Sequence, residues 1–375
     1  KQKTAYEMLR SLVGSEMCIR DRIKYYILCG VVIYYLSNYK IVLESFIQVY
    51  CVRMTDSRFY KPSKKTFKFA AKKLNAGDIL SFPTETVYGL GADATNSIAV
   101  AKIFMAKNRP NFNPLIVHVP DTIKAKRYVI MDTLAQKLAA NFWPGPFTMV
   151  LPLKKKNGLS DLITAGLDTV AIRVPKHKIA QELLHIFDGP IAAPSANKSG
   201  KISPTTAAHV DSEFFNELDM IIDGGACEKG LESTIVQINK NGITLLRPGS
   251  ITQEDIEKVA GQDVKVNGLQ SDSPVAPGQL KSHYAPNARV RLNVLTPKPG
   301  EAYLAFGHRI KTLNSLNLSP AGNLIEAASN LFSMMRALDR LRIKTIAVAP
   351  IPTFGLGAAI NDRLERAAAA KEGIE

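Results

Sequence analysis

Residues 66–75 alternate apolar and polar positions at helical spacing and are followed by Gly77, a stop signal, so a helix is predicted there. Residues 78–83 read as a short strand, and Tyr88-Gly89-Leu90-Gly91 as a turn that lets backbone approach a ligand. A second helix is predicted over 98–107, with Ala99, Ile103 and Ala106 on one side. Residues 108–114 contain two prolines and three asparagines and read as loop, with Lys107 and Arg109 standing two apart where it begins. Further strands are predicted over 115–119, 147–153, 169–174, 190–193, 220–223, 233–238 and 244–247. A helix over 134–142 ends at Trp143-Pro144-Gly145-Pro146, and helices sit between several of the strands. Strands outnumber what simple βα alternation supplies, so the expected class is α/β with a twisted mixed sheet.

The pattern changes over 269–287, where Ser, Asp, Gly and three prolines replace apolar residues, as in a linker. Beyond it, a strand over 303–306, a helix over 324–341 and a strand over 345–348 give a small βαβ-like unit. A chain of 375 residues is too long for one core and fits two domains.

Composition changes this picture little. The apolar fraction of 46% and charged fraction of 22% are ordinary for a globular protein. The net charge of +15 points to an acidic partner, such as a nucleotide, RNA or an anionic surface, or is a solubility trait. Beyond Lys65 both signs are interspersed, and Lys154-Lys155-Lys156 is the longest cationic block. Cys18, Cys29, Cys51 and Cys227 show no paired spacing, so neither a zinc site nor a disulfide framework is signalled. A single cysteine in the body fits a reducing compartment.

The first 53 residues behave differently. SLVGSEMCIRDR, 11–22, looks like translated sequencing-adapter sequence, and 23–50 like translated upstream sequence. The competing reading is a targeting segment, because Arg20, Arg22 and Lys24 precede an apolar run over 25–36. That run is shorter than the roughly 20 residues of a membrane span. The expectation is a non-native extension over 1–53, with translation starting at Met54.

Several constellations carry chemistry. Lys107 and Arg109 are fixed cations of the kind that stabilise charge on a transferred phosphate, Arg as a fork and Lys as a point charge; alone, they also fit a solvated helix end. Thr84, Glu85 and Thr86 follow a strand, where hydroxyls can hold a small amino acid or simply form a polar turn. Asn113, before Pro114, can reach a nucleotide. Thr169 and Arg173 share one face of a strand, and Arg173 can clamp a carboxylate or make a structural ion pair. Ser195 and Asn197 sit in the turn after a strand, able to bond phosphate or metal, while Ala193 offers main-chain contacts. Tyr284 is an aromatic in the linker and can lie over a site as a lid. Gly89-Leu90-Gly91 lacks the third glycine of a dinucleotide fingerprint, and no Walker loop or nucleophilic triad is present.

Four blocks agree in order and spacing: SFPTETVYGLGADATNSIAVAKIFMAKNRPNFNPLIVH at 81–118, TAGLDTVAIR at 164–173, PSAN at 194–197 and HYAP at 283–286. Together they resemble the threonylcarbamoyl-AMP synthase family, with its YrdC-type domain, in the long form that carries a Rossmann-like C-terminal domain. The resemblance runs from about Lys65 to the end of the chain. It implies a catalytic domain over 62–268, a linker or lid over 269–288 and an accessory domain over 289–375.

The reaction implied joins L-threonine, bicarbonate and ATP into threonylcarbamoyl-adenylate with release of pyrophosphate. Mg²⁺ would accompany the ATP, and no protein metal site is implied. The resemblance implies Lys107 and Arg109 as catalytic. It implies Arg109, Asn113, Thr169, Ser195, Asn197, Ser203, Arg247 and Tyr284 as ATP contacts. Thr84, Thr86, His118, Arg173, Ala193 and Ser233 are implied as threonine contacts; a lone His118 in an apolar strand also fits a satisfied core histidine. A cytoplasmic location, a downstream threonylcarbamoyl transferase complex, weak tRNA contact and no membrane contact are implied as well. The alternatives are an RNA-binding module of the same fold, or carbamoyl transfer in hydrogenase maturation.

Overall fold

The computed structural model describes residues 58–215, 217–266, 275–279, 283–307 and 313–369. The expected extension over 1–53 and the linker residues 269–274 and 280–282 lie outside the described residues.

The first part builds one mixed sheet from β1 (Phe59–Tyr60), β2 (Leu80–Pro83), β3 (Tyr88–Asp93), β4 (Ile116–His118), β5 (Phe147–Pro152), β6 (Thr169–Arg173), β7 (Ile191–Ala192), β8 (Ile221–Ile222), β9 (Thr234–Asn239), β10 (Gly242–Arg247) and β11 (Val264–Val266). Their order is β1-β8-β2-β3-β7-β4-β6-β5-β9-β10-β11. Around it lie α1 (Lys64–Asn75), α2 (Ser97–Lys107), α3 (Thr122–Tyr128), α4 (Thr133–Phe142), α5 (Lys178–Phe187), α6 (Ala207–Phe214) and α7 (Gln253–Ala260). The second part is a parallel sheet of β12 (Arg289–Arg291), β13 (Ala302–Ala305), β14 (Ser315–Asn317) and β15 (Thr345–Val348), in the order β12-β15-β13-β14. Its helices are α8 (Leu324–Asp339) and α9 (Leu356–Ala369). The α/β class with a mixed sheet is therefore observed.

Local sequence explains these elements. Ser63 caps α1 by accepting from the Thr66 amide at 3.1 Å. Phe67, Ala70, Ala71 and Leu74 recur at helical spacing and bury against Leu183, Leu184 and Phe187 of α5 and Leu80 and Phe82 of β2. Each large apolar side chain so buried contributes up to about 1.5–3 kcal/mol.

Tyr88-Gly89-Leu90-Gly91 is not a turn. It pairs antiparallel with β2, Leu80 opposite Gly91 and Phe82 opposite Gly89. The glycines serve packing: a Cβ on Gly91 would come within 2.8 Å of the Phe82 ring.

Strands β4, β5 and β6 place the site. Val117, Met149 and Ile172 point into the main core, whereas Ile116, Val150 and Ala171 point to the opposite face. His118 and Arg173 share that second face, being two residues beyond Ile116 and Ala171 and paired with each other in register. The second sheet's helices close over this region. Leu331, Phe332 and Met335 of α8 and Ile360 and Leu364 of α9 form one apolar cluster with Val87, Ile202, Leu231 and Tyr284. Among the described residues, no helix is long and apolar enough to cross a membrane.

Candidate active site

A cleft opens on the second face, lined by Ile116, His118 and Arg173 from the sheet and by Thr84, Thr86 and Gly89 from the β2–β3 connection and β3. Arg109, Ala193, Ser195, Glu232, Ser233, Arg247, Gly278, His283 and Tyr284 complete it. Its free volume is about 40 Å³. That is space for about three waters, against the ~300–1,000 Å³ of pockets that hold a drug-sized ligand. Its own polar side chains fill most of the cleft.

Arg173 anchors one side. Its Nη2 meets Glu85 Oε1 at 2.6 Å, Nη1 donates to the Thr86 hydroxyl at 3.0 Å and Nε donates to the Gly145 carbonyl at 3.2 Å. Thr84 and Thr86 hydroxyls lie 2.7 Å apart, and Thr84 donates to the Val87 carbonyl at 2.7 Å. Burial opposes the charge on Glu85, but the charge and hydrogen bond of Arg173 outweigh it and hold the carboxyl below its ordinary value. Arg173 is in a buried ion pair, and it also lines the cleft with two N–H donors left over. His118 sits beside it, edge-on to Phe82, with its Nδ1 buried and unpartnered among the described residues. Burial, reinforced by Arg173, pushes its pKa down to about 3, so the ring is neutral.

Lys107 and Arg109 are both buried, not solvated loop residues. Lys107 ends α2 and donates to the Ser195 carbonyl at 2.5 Å and to the Asn197 carbonyl. It stands behind the cleft and braces the turn that presents Ser195. Burial and the nearby Arg109 push its pKa well down. Arg109 lines the cleft and is held by Asn113: Nε donates to its carbonyl at 3.0 Å and Nη2 to its Oδ1 at 2.7 Å. Asn113 therefore orients Arg109, with its own Nδ2 buried and unpartnered among the described residues.

Arg247 forms a third anchor. Nε and Nη2 donate to the Ser233 carbonyl and hydroxyl at 3.0 and 3.1 Å, and Ser233 Oγ lies 2.7 Å from Thr148 Oγ1. The linker crosses here. Gly278 has φ +88°, and a Cβ on it would come within 2.9 Å of Arg247 Cδ, so only glycine lets the backbone pass so close. Tyr284 takes φ +62°, an unusual conformation for a bulky residue, and stacks on Phe332 at 5.5 Å. Its hydroxyl is buried without a partner among the described residues.

The remaining predicted residues stand outside the lining. Asn197 pins its own loop, donating to the Lys198 and Lys201 carbonyls at 2.8 Å each. Thr169 starts β6 on the cleft face, four residues from Arg173 and about 13 Å along the strand. Between them Ala171 is covered by Ala276 of the linker. Ser203 is fully buried, its hydroxyl bonded to Glu232. Sequence reasoning missed Glu232 and His283 as lining residues. The signal for Glu232 was its place beside Ser233; that for His283 was its place beside Tyr284.

Two family models match the chain: one described as "Telomere recombination" over residues 72–249, and one described as "Threonylcarbamoyl-AMP synthase, C-terminal domain" over 251–369. A threonylcarbamoyl-AMP synthase of Pyrococcus abyssi is 40% identical over 321 residues, 80% of this chain and 93% of the relative. One from Bacillus subtilis is 39% identical over 318 residues, 80% of this chain and 92% of the relative. The crystal structure of P. abyssi Sua5 complexed with L-threonine superposes with a TM-score of 0.78 at 36% identity, covering 84% of this chain and 97% of that one.

Proposed function

The chain belongs to the threonylcarbamoyl-AMP synthase family, and from that premise we propose that its cleft makes threonylcarbamoyl-adenylate from L-threonine, bicarbonate and ATP. The threonine amine and bicarbonate form a carbamate and water. A carbamate oxygen then attacks the α-phosphorus of ATP, a P–O bond forms, and pyrophosphate departs with the electron pair of the bond that breaks. The observation that carries this reading is the union, in one cleft, of the Arg173 fork with the cations Arg109 and Arg247.

In this reading the two spare donors of Arg173 take the threonine carboxylate, with Thr84, Thr86, His118, Ala193 and Ser233 around the rest of the amino acid. Arg109, oriented by Asn113, faces the α-phosphate, where negative charge grows in the transition state. Lys107, from behind the cleft, fixes the Ser195–Asn197 turn and so sets where Ser195 meets the phosphates. Arg247, Ser195 and Tyr284 hold the nucleotide, which extends along the cleft face toward Thr169. Linker residues Ala276 to Gly278 cover that face, so they move aside when ATP enters.

A magnesium ion would neutralise charge on the phosphates. Among the described residues no three His, Cys, Asp or Glu side chains gather, and Glu232 is the one carboxylate lining the cleft. These residues fit a magnesium ion held chiefly by phosphate oxygens and water, as is usual for that metal. The adenylate then passes to a threonylcarbamoyl transferase that modifies tRNA.

The test is to incubate the protein with ATP, bicarbonate and each amino acid in turn, and to measure pyrophosphate. Release that needs threonine and bicarbonate together supports the reading; release indifferent to threonine removes it.

A further inference from the structure

Glu232 sits among cations with no evident duty in the scheme above. It is buried at the cleft wall. One carboxylate oxygen accepts from the Ser203 hydroxyl, and the other accepts from Arg363 Nε at 3.0 Å. A carboxylate offers about four lone-pair sites, so two stay open.

Arg363 comes from α9, in the C-terminal layer, and is completely buried. Its Nη1 meets Asp362 at 2.6 Å, and the other oxygen of Asp362 takes Arg366 Nε at 2.9 Å. The guanidinium also lies over the Tyr284 ring, 5.3 Å from its centroid. Arg336 of α8 reinforces the junction, bonding the carbonyls of Ile202 and Ser203 and pairing with Glu213 at 3.0 Å. Buried charge of this kind is a poor source of stability, because desolvation offsets most of the attraction. Its constraint on geometry is the more useful property here: Arg363 fixes Glu232 against the cleft.

The chemistry of an open carboxylate limits what it can take. It repels phosphate and threonine carboxylate and takes either a cation or a hydrogen-bond donor; the magnesium ion is read above as held by phosphate oxygens and water, which leaves a donor. It lines the cleft together with Arg247, Tyr284 and Arg109. That is the side assigned to the nucleotide. The donors of ATP are its ribose hydroxyls and its adenine amino group.

We propose that Glu232 accepts a hydrogen bond from such a donor on the nucleoside part of ATP, and that Arg363 is the positioning residue that holds it there. The proposal rests on the reading of the cleft as an ATP site. It makes the C-terminal layer part of nucleotide recognition.

Binding by calorimetry tests this without relying on turnover, using a non-hydrolysable ATP analogue and its 2′-deoxy, 3′-deoxy and inosine counterparts. The parent protein should lose about tenfold in affinity for at least one counterpart, which identifies the donor. Glu232→Gln should weaken binding of the ATP analogue about tenfold, flatten that preference and leave threonine affinity unchanged. Arg363→Met should reproduce this, and the double variant should be no worse than Glu232→Gln alone. The double variant leaves no unpaired charge at this contact, so it carries the test if Arg363→Met does not fold. A Glu232→Gln protein that keeps the parent's preference among the four nucleotides overturns the proposal and leaves Glu232 as charge balance. A parent protein that binds none of the four overturns the ATP reading itself.

Discussion

Arg173 Nη2 and Glu85 Oε1 meet at 2.6 Å with both side chains buried, on the same face of the sheet that carries His118. The ion pair leaves part of the guanidinium fork facing the cleft, so Arg173 is both held and available. Arg173→Lys keeps the charge but loses the fork. The threonine KM should rise about tenfold or more while the ATP KM changes little. Equal effects on both substrates would place Arg173 outside the amino-acid pocket.

Acid should destabilise the protein over two pH ranges. His118 and His283 are pushed down to about 3 by burial, from an ordinary 6.5. Below 6.5 the unfolded chain binds protons that the folded protein refuses, so stability falls as pH drops from 6.5 toward 3. Glu85 and Glu232 have depressed folded values, so their contribution is present above 4.5 and is lost only as pH falls below it. Each histidine contributes a slope of up to about 1.4 kcal/mol per pH unit. Melting temperature followed from pH 8 to 4 should therefore begin to fall near 6.5, less steeply in His118→Asn. A flat profile down to 4.5 would contradict this.

The sequence alone suggests that Lys107 and Arg109 could be lost with little effect on folding. The structure reverses that. Lys107→Ala should lower turnover by about 100-fold or more and also cost about 1–3 kcal/mol, since two carbonyls lose a buried donor. Arg109→Ala should lower turnover comparably while leaving Asn113 without its partner. Turnover and thermal melts of both variants check this; near-normal turnover in either would remove that residue from the phosphate machinery.

How much of this could be read in advance differs by residue. The helices at Lys64–Asn75 and Leu324–Asp339 carry strong apolar periodicity, and their existence was legible from it. Tyr88-Gly89-Leu90-Gly91 reads as a turn because two glycines usually mean one, whereas in the strand they admit Phe82 and Ile191 against the backbone. Leu356–Ala369 is a helix that the sequence reading does not predict, although Ile360, Leu364 and Ala367 recur at helical spacing. With it went Arg363, whose partner lies 131 residues away and leaves no local trace. The cleft residues from the Ser81–His118 block and from β6 were found because they sit within recognisable blocks. The roles of Lys107 as brace and Asn113 as orienter depend on tertiary contacts that no spacing reveals.

Tyr284→Phe separates a lid from a tether. The ring packs on Phe332 either way, but the hydroxyl is buried without a partner among the described residues. Removing it should leave stability unchanged or raise it by about 1 kcal/mol. If ATP is the hydroxyl's partner, the ATP KM should rise several-fold in the same variant. A more stable protein with an unchanged ATP KM would make Tyr284 a packing residue only.

In the proposed reaction, bicarbonate carbon enters an adenylate of threonine. Supplying ¹³C-bicarbonate with threonine and ATP, and weighing the nucleotide product, tests it most directly. The expected product is a threonylcarbamoyl-adenylate heavier by one mass unit than that made with unlabelled bicarbonate. A product that carries no label, or a plain threonyl-adenylate, would contradict it.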